Sequence, residues 1–276
     1  MTEPLVLIAD HGAVRVLRLN RPAARNALSR DLIRGTYAAL TEADADESVR
    51  AVVLTGADPA FCAGVDLKEA QRDGLKYFEE FRSQSCITAV AKMRTPIVGA
   101  INGACFTGGM EMALGCDFLV ASERAVFADT HARVGILPGG GMTARLPHLV
   151  GAAMARRLSM TGEVVDAARA KRIGLVTEVV AHESLLDRAI DLATQIAEVP
   201  GPIMLGLKEI YTTGAAAVVE PGLAAEEKIA FAQHREFDGL GDQFRAVSER
   251  NKRQIPSASG AHAQAGERES PRHAED

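Results

Sequence analysis

Apolar residues follow two different spacings along this chain. Short, nearly continuous runs stand at 5–8 (LVLI), 14–19 (VRVLRL), 51–56 (AVVLTG), 96–102 (PIVGAIN) and 118–122 (FLVAS), with a shorter one at 125–128 (AVFA). Runs of this length bounded by Gly, Pro, Asn or Asp predict strands, and the unbroken ones predict strands covered on both faces. His11 and Gly12 supply the turn between the first two, and NRP at 20–22 ends that hairpin. Between the runs the spacing turns helical. Ser29 predicts an N-cap for a helix carrying Leu32, Ile33, Tyr37 and Leu40 on one face. Residues 75–93 predict another helix and DPAFCAGVD at 58–66 an irregular loop. A helix around 142–150 and further αβ units to about residue 200 follow, with a strand in GLVTEVV at 174–180. The alternation predicts an α/β fold. No segment repeats at a fixed period. From about Pro202 the pattern is helical only. After Ile255 no large aliphatic residue remains, which predicts a disordered tail containing His262 and His273. Three regions result: a core over 1–200, a helical region over 201–254 and the tail over 255–276.

Composition narrows the classes. The chain has 276 residues, 47% hydrophobic and 24% charged, within the range of one large domain. The net charge of −5 and the absence of a Lys/Arg run argue against a nucleic-acid surface. No apolar run reaches the length of a bilayer span, so no membrane partner is expected. MTEPLVLIAD lacks a basic segment followed by an apolar one, so a cytoplasmic protein without a signal peptide is expected. Cys62, Cys86, Cys105 and Cys116 sit among apolar neighbours with no CxxC pair and read as reduced core thiols. Nothing in the spacing of Cys, His and carboxylates suggests a metal.

Candidate chemistry begins at INGACFTGGMEMALGCD, 101–117. The helix opening near Gly108 is apolar nearly all round, which predicts burial, yet it carries Glu111 between two methionines. A carboxylate seldom goes inside without a partner or a task. One reading places Glu111 in a first helical turn, favoured by the dipole. The other makes it a general acid/base tuned by an apolar pocket. Gly108 and Gly109 open that helix with N–H groups lacking intrahelical partners. AFCAGVD at 60–66 is a second small-residue loop after a buried strand. Two such loops can aim amides at one oxygen, as an oxyanion hole does. The glycine spacing matches neither GxGxxG nor GxxxxGK, so a dinucleotide or P-loop site is not indicated.

NRPAARNAL (20–28), GADPAFCAGVDLKE (56–69), PIVGAINGACFTGGMEMALGCDFLVAS (96–122) and VGILPGGGMTARLPHLVG (134–151) together resemble the enoyl-CoA hydratase/isomerase, or crotonase, superfamily, over about residues 4 to 254. The resemblance implies a spiral of ββα units with C-terminal helices that help form a homotrimer or a hexamer of paired trimers. It implies an acyl-CoA substrate whose CoA travels with it, so no separate cofactor is expected. It also implies that the amides of Val65 and Gly108 hold the thioester oxygen. The loop from Ala63 through Asp66 and Leu67 to Lys68 would line the CoA, with Asp66 and Lys68 near its polar parts. Arg25 lies in a turn where a CoA phosphate could pass. Arg250 and Lys252 are weaker candidates for phosphates on a neighbouring subunit.

Glu111 matches the first of two hydratase glutamates. The position matching the second is His131, in FADTHARVGILPGGG at 127–141. An imidazole titrating near neutrality is competent for proton transfer, with Asp129 as an orienting acid. The other reading makes His131 part of the pocket wall. Three functions follow in order: a trans-2-enoyl-CoA hydratase, another crotonase reaction (isomerase, hydrolase or decarboxylase), and a non-catalytic acyl-CoA binder. Leu75, Phe78 and Met142 are expected to shape the acyl site. His148 and Arg145 are expected to be structural, His11 a turn residue and His182 a helix-start residue.

Overall fold

The computed structural model describes residues 3–235 together with 246, 247, 249 and 250. The expected tail, with His262 and His273, and Lys252 lie outside the described residues.

β1 (Val6–His11) and β2 (Val14–Leu19) form the expected hairpin, with Gly12 at φ +63 in the turn. α1 (Arg30–Ala45) starts on Ser29, whose hydroxyl accepts the Leu32 N–H at 3.2 Å. Then the strands come in pairs: β3 (Ala51–Gly56) with β4 (Ala60–Cys62), β5 (Ile97–Ile101) with β6 (Ala104–Phe106), and β7 (Phe118–Ser122) with β8 (Val126–Ala128). Within each pair the first strand joins one sheet and the second joins another. The larger sheet runs β1-β2-β3-β5-β7-β10 and the smaller β4-β6-β8-β9, where β9 is Val165–Asp166 and β10 is Glu178–Val180. The chain therefore winds as a spiral, each turn adding one strand to each sheet.

Helices α2 (Leu67–Asp73), α3 (Leu75–Ser83) and α4 (Cys86–Lys92) follow the first strand pair. α5 (Gly108–Ala113) and α6 (His131–Val134) follow the next two. α7 (Met142–Val150), α8 (Ala152–Thr161), α9 (Ala167–Arg172) and α10 (Leu185–Glu198) complete the core, and α11 (Gly201–Arg235) runs on beyond it.

The inner strands β2, β3, β5 and β7 are covered on both faces, whereas β1 at the edge leaves Leu7 and Ile8 exposed, so two-sided cover does not extend to that apolar run. Val14, Val16, Ala51, Val53, Val98 and Val120 pack with Leu185, Ala189 and Ala193 of α10. Their alternating neighbours Leu17, Leu19, Val52, Leu54, Ile97 and Ile101 enter the main core with Leu32, Ile33 and Leu40 of α1.

Three sequence expectations change. The 75–93 helix is broken at 84–85, because Ser85 caps a new helix by accepting the Thr88 N–H. Strand β4 lies within the expected loop at 58–66. Only 178–180 of GLVTEVV is strand: Gly174 sits at φ +82, and Leu175 and Val176 turn into the core instead. The cysteines are free; Cys62, Cys86 and Cys105 are buried, and burial pushes the Cys62 thiol up to about 12.

Candidate active site

The site sits where the first residues of α5 meet the loop after β4. Ala63 N–H donates to the Arg25 carbonyl, Leu28 N–H to Gly64, and Asp66 N–H to Leu28. This short parallel bridge pairs Leu28 with Val65, so the Val65 N–H points the other way. Tyr77, fully buried on α3, locks the bridge: its hydroxyl donates to the Leu28 carbonyl and accepts the Asp66 N–H. Gly64, at φ +90, allows a contact that no other residue permits, since a Cβ there would lie 1.8 Å from Thr107 Oγ1. Thr107 itself holds φ +45, rare for a β-branched residue, and its N–H is fixed by the Ala128 carbonyl. That conformation turns the chain into α5. Among the described residues neither the Val65 nor the Gly108 N–H has a hydrogen-bond partner, and both residues line one cavity with Glu111 and His131.

Glu111 is 3% exposed. Its Oε1 accepts the Gly140 N–H at 2.7 Å and the Met142 N–H at 3.3 Å. Its Oε2 faces His131 Nε2 at 3.6 Å. On the far side of the ring, His131 Nδ1 lies 2.7 Å from Asp129 Oδ1, which also accepts the His131 N–H. All three side chains are buried. Burial pushes the Glu111 carboxyl above its ordinary value, outweighing the opposite pull of His131. Burial alone would lower the His131 imidazole, but Glu111 and Asp129 outweigh it and hold the pKa above 6.5. Asp129 stays below the usual carboxylate value, because its hydrogen bond and charge contact with His131 overcome its own burial. Glu111 and His131 thus face each other with Asp129 behind the ring as a fixed anion.

The cavity spans about 580 Å³ including its solvent-filled mouth. Past the acid and imidazole it is walled by Phe78, Ile87, Ile136, Leu137 and Phe231. Among the described residues no cluster of His, Cys, Asp and Glu is arranged to hold a metal ion, and no helix is long and apolar enough to cross a membrane.

Several expected residues take other places. Asp66 is 6% exposed; its carboxylate caps α2 through the Lys68 and Glu69 N–H groups and pairs with Arg21. In these contacts it braces the loop that carries Val65. Leu67 is half-buried, and Lys68 and Arg25 are exposed. Arg250 donates to the Gly162 and Thr161 carbonyls, capping α8. Leu75 is exposed, and Met142 is core whose N–H, not its side chain, serves the site; of the expected acyl-site residues only Phe78 lines the cavity. Arg145 donates to the Gly140 carbonyl at 2.9 Å. Tyr77, Gly140, Phe231 and Glu226 were not anticipated. Gly140 had a signal in the triple-glycine run, and the others had none beyond ordinary helical spacing.

Two sheets wound as a spiral, with two free amides and a buried acid at one cavity, define the crotonase class of fold. The chain belongs to the enoyl-CoA hydratase/isomerase family, whose profile matches residues 9–240. It is 38% identical over 245 residues to a probable enoyl-CoA hydratase of Rhizobium meliloti, covering 87% of this chain and 95% of that one. The solved enoyl-CoA hydratase of Mycobacterium smegmatis is 43% identical with a TM-score of 0.76, covering 85% of this chain and 100% of that one. That of Mycobacterium tuberculosis H37Rv is 45% identical with a TM-score of 0.75, covering 84% and 100%.

Proposed function

We propose that this protein is an enoyl-CoA hydratase in which Glu111 and His131 form the acid/base pair. The observation that carries this is the orientation of the pair. Glu111 Oε1 is taken by two amides and His131 Nδ1 by Asp129, so the remaining atoms of each, Oε2 and Nε2, face each other at the cavity.

The thioester oxygen takes the Val65 and Gly108 N–H groups, which draws electrons away from the C2=C3 bond. Glu111 as carboxylate accepts a proton from water as its oxygen bonds to C3. The C2=C3 π electrons move toward the thioester oxygen, giving an enolate. Protonated His131 then delivers its Nε2 proton to C2, and the carbonyl reforms. The pair ends as a carboxylic acid and a neutral imidazole. One proton passing from Glu111 to His131 restores the starting state without a solvent proton. The apolar wall suits a linear acyl chain.

The test is hydration of crotonyl-CoA, followed by loss of the conjugated thioester absorbance. Glu111→Gln and His131→Ala are each expected to lose about 10²–10⁴-fold in kcat, the usual worth of a general acid/base. Loss in Glu111→Gln alone makes His131 a wall residue. A wild type that binds enoyl-CoA thioesters of several lengths without hydrating them sinks the hydratase reading and favours isomerase, hydrolase or binder.

The chain also assembles with copies of itself, as trimers or paired trimers, in this reading. α11 supports this: Ile203, Leu207, Ile210, Tyr211 and Val218 are all exposed on it.

A further inference from the structure

A second buried carboxylate stands behind the first. Glu226, on α11, is 6% exposed. Its Oε2 accepts the Gly141 N–H at 2.7 Å, and its Oε1 accepts the Thr143 N–H at 2.6 Å, the Thr143 hydroxyl and the Ala144 N–H at 3.2 Å. The intervening amides, Gly140 and Met142, go to Glu111. Consecutive N–H groups from 140 to 143 therefore alternate between two glutamates, and that of 144 joins Glu226. They form the open start of α7, where free amides and the helix dipole both favour anions. That explains how two carboxylates are tolerated inside.

The loop they share has little rigidity of its own. It contains Gly139, Gly140 and Gly141, the last at φ +110, and glycine backbones lose the most freedom on ordering. Glu226 fixes it from outside. Gln233, two helical turns on, repeats the device: its amide accepts the Leu137 N–H at 3.0 Å and donates to the Gly135 carbonyl. Ala230 and Phe231, between them on the same helix, line the cavity.

We propose that Glu226 is a positioning residue for the reaction: by holding the amides of 141, 143 and 144 it aims the Gly140 and Met142 amides at Glu111, and so sets where the Glu111 carboxylate stands. This rests on the hydratase reading of the site. The residue touches neither substrate nor reacting atoms. It acts through geometry and also through charge. Among the described residues the titratable groups its charge acts on are Glu111, His131 and Arg145, each of which it pulls upward.

The experiment compares crotonyl-CoA hydration by wild type, Glu226→Gln and Glu226→Asp across pH, with folding checked by circular dichroism. Glu226→Gln keeps the size but turns an NH₂ toward the Gly141 N–H and removes the charge. Its kcat is expected to fall about 10–100-fold, the cost of misaiming a reacting group by an ångström or less, while KM stays within about twofold. Both limbs of its kcat–pH profile are expected at lower pH, because fewer negative charges face Glu111 and His131. Glu226→Asp keeps the charge on a shorter arm, so kcat falls and the limbs stay. A residue serving stability alone would lower the melting temperature and leave kcat and both limbs in place; that result overturns the proposal, as does a loss confined to KM. If Glu226→Gln does not fold, Thr143→Val decides, since it removes one bond to Glu226: a lower kcat at constant KM supports the proposal and an unchanged kcat overturns it. A wild type inactive on enoyl-CoA thioesters instead defeats the hydratase reading itself.

Discussion

At the scale of residues, the site is a line of three buried titratable groups. Asp129 fixes the imidazole by its Nδ1–H, leaving Nε2 for the cavity. Asp129→Asn replaces the anion with a neutral amide, so the ring loses both its orientation and the charge that favours its protonated form. Its kcat is expected to fall about 10²-fold or more, and the alkaline limb of the kcat–pH profile is expected to move to lower pH. Steady-state kinetics on crotonyl-CoA checks both, and an unmoved limb would separate Asp129 from the chemistry. The same groups limit stability. Glu111 and His131 both have folded pKa values raised above their ordinary ones. Their contribution to stability is therefore complete below the unfolded values and is lost as pH rises through the folded ones. Once His131 has lost its proton, Glu111 stands as a buried anion facing Asp129 and Glu226. Glu111→Gln removes that anion. It is expected to melt higher than wild type at pH 9, by about 2–4 °C for each kcal/mol gained at this chain length, with a smaller gain at pH 6. Calorimetry at the two pH values tests the sign. Glu111 and His131 were legible in the sequence because each is a polar residue in an apolar or glycine-rich setting. Glu226 was not, because it stands in LAAEEKIAF beside a second glutamate. Only the docking of α11 shows which of the two points inward.

At the scale of elements, α5 is placed by two glycines with different tasks. A Cβ on Gly109 would lie 2.3 Å from the Cys62 carbonyl oxygen, so no side chain fits between α5 and β4. A Cβ on Gly108 would meet Ile87 and Leu28 at 3.4 Å, an ordinary contact at the tight end. Gly109→Ala is therefore expected to lose about 3 kcal/mol or more by overpacking against backbone, or to fail to fold. Gly108→Ala is expected to fold with a melting temperature within a few degrees of wild type and to show its effect in KM and kcat, since the new methyl narrows the cavity at the amide. Denaturant unfolding of the two variants separates them, and equal destabilisation would contradict the packing described. The inner strands β3, β5 and β7 of the large sheet were legible because burial on both faces writes itself as an unbroken apolar run. The three- and two-residue strands of the small sheet were mostly not. AFC and ACF carry too few positions to show a period, and their pairing is set by the spiral. The break at 84–85 was hidden for a related reason: apolar spacing continues through it, and only the Ser85 hydroxyl marks the new start.

At the scale of the molecule, α11 works on two sides. Its later part, from Gly222 against Ala144 to Gln233 against the 135–137 loop, builds the site. Its earlier part presents Ile210 at 71% and Tyr211 at 73% exposure, together with Ile203, Leu207 and Val218. A helix of this length spans about 52 Å. Exposed large apolar side chains grouped along one helix are a common mark of an interaction surface. A second and third copy of the chain are the occupants expected from the resemblance, and the two ends of the helix then become coupled. In such an assembly, docking the outer face against neighbouring subunits would steady the helix that carries Glu226 and Phe231. The double substitution Ile210→Glu and Tyr211→Glu puts charge in the middle of that face. Light scattering is expected to show wild type as three or six chains and the variant as smaller species. The variant's kcat is expected to fall with association state and to recover in part at high protein concentration, as mass action requires. A wild type that is monomeric at micromolar concentration would remove the assembly. A dissociated variant with full kcat at every concentration would show instead that α11 holds the site without help from its outer face.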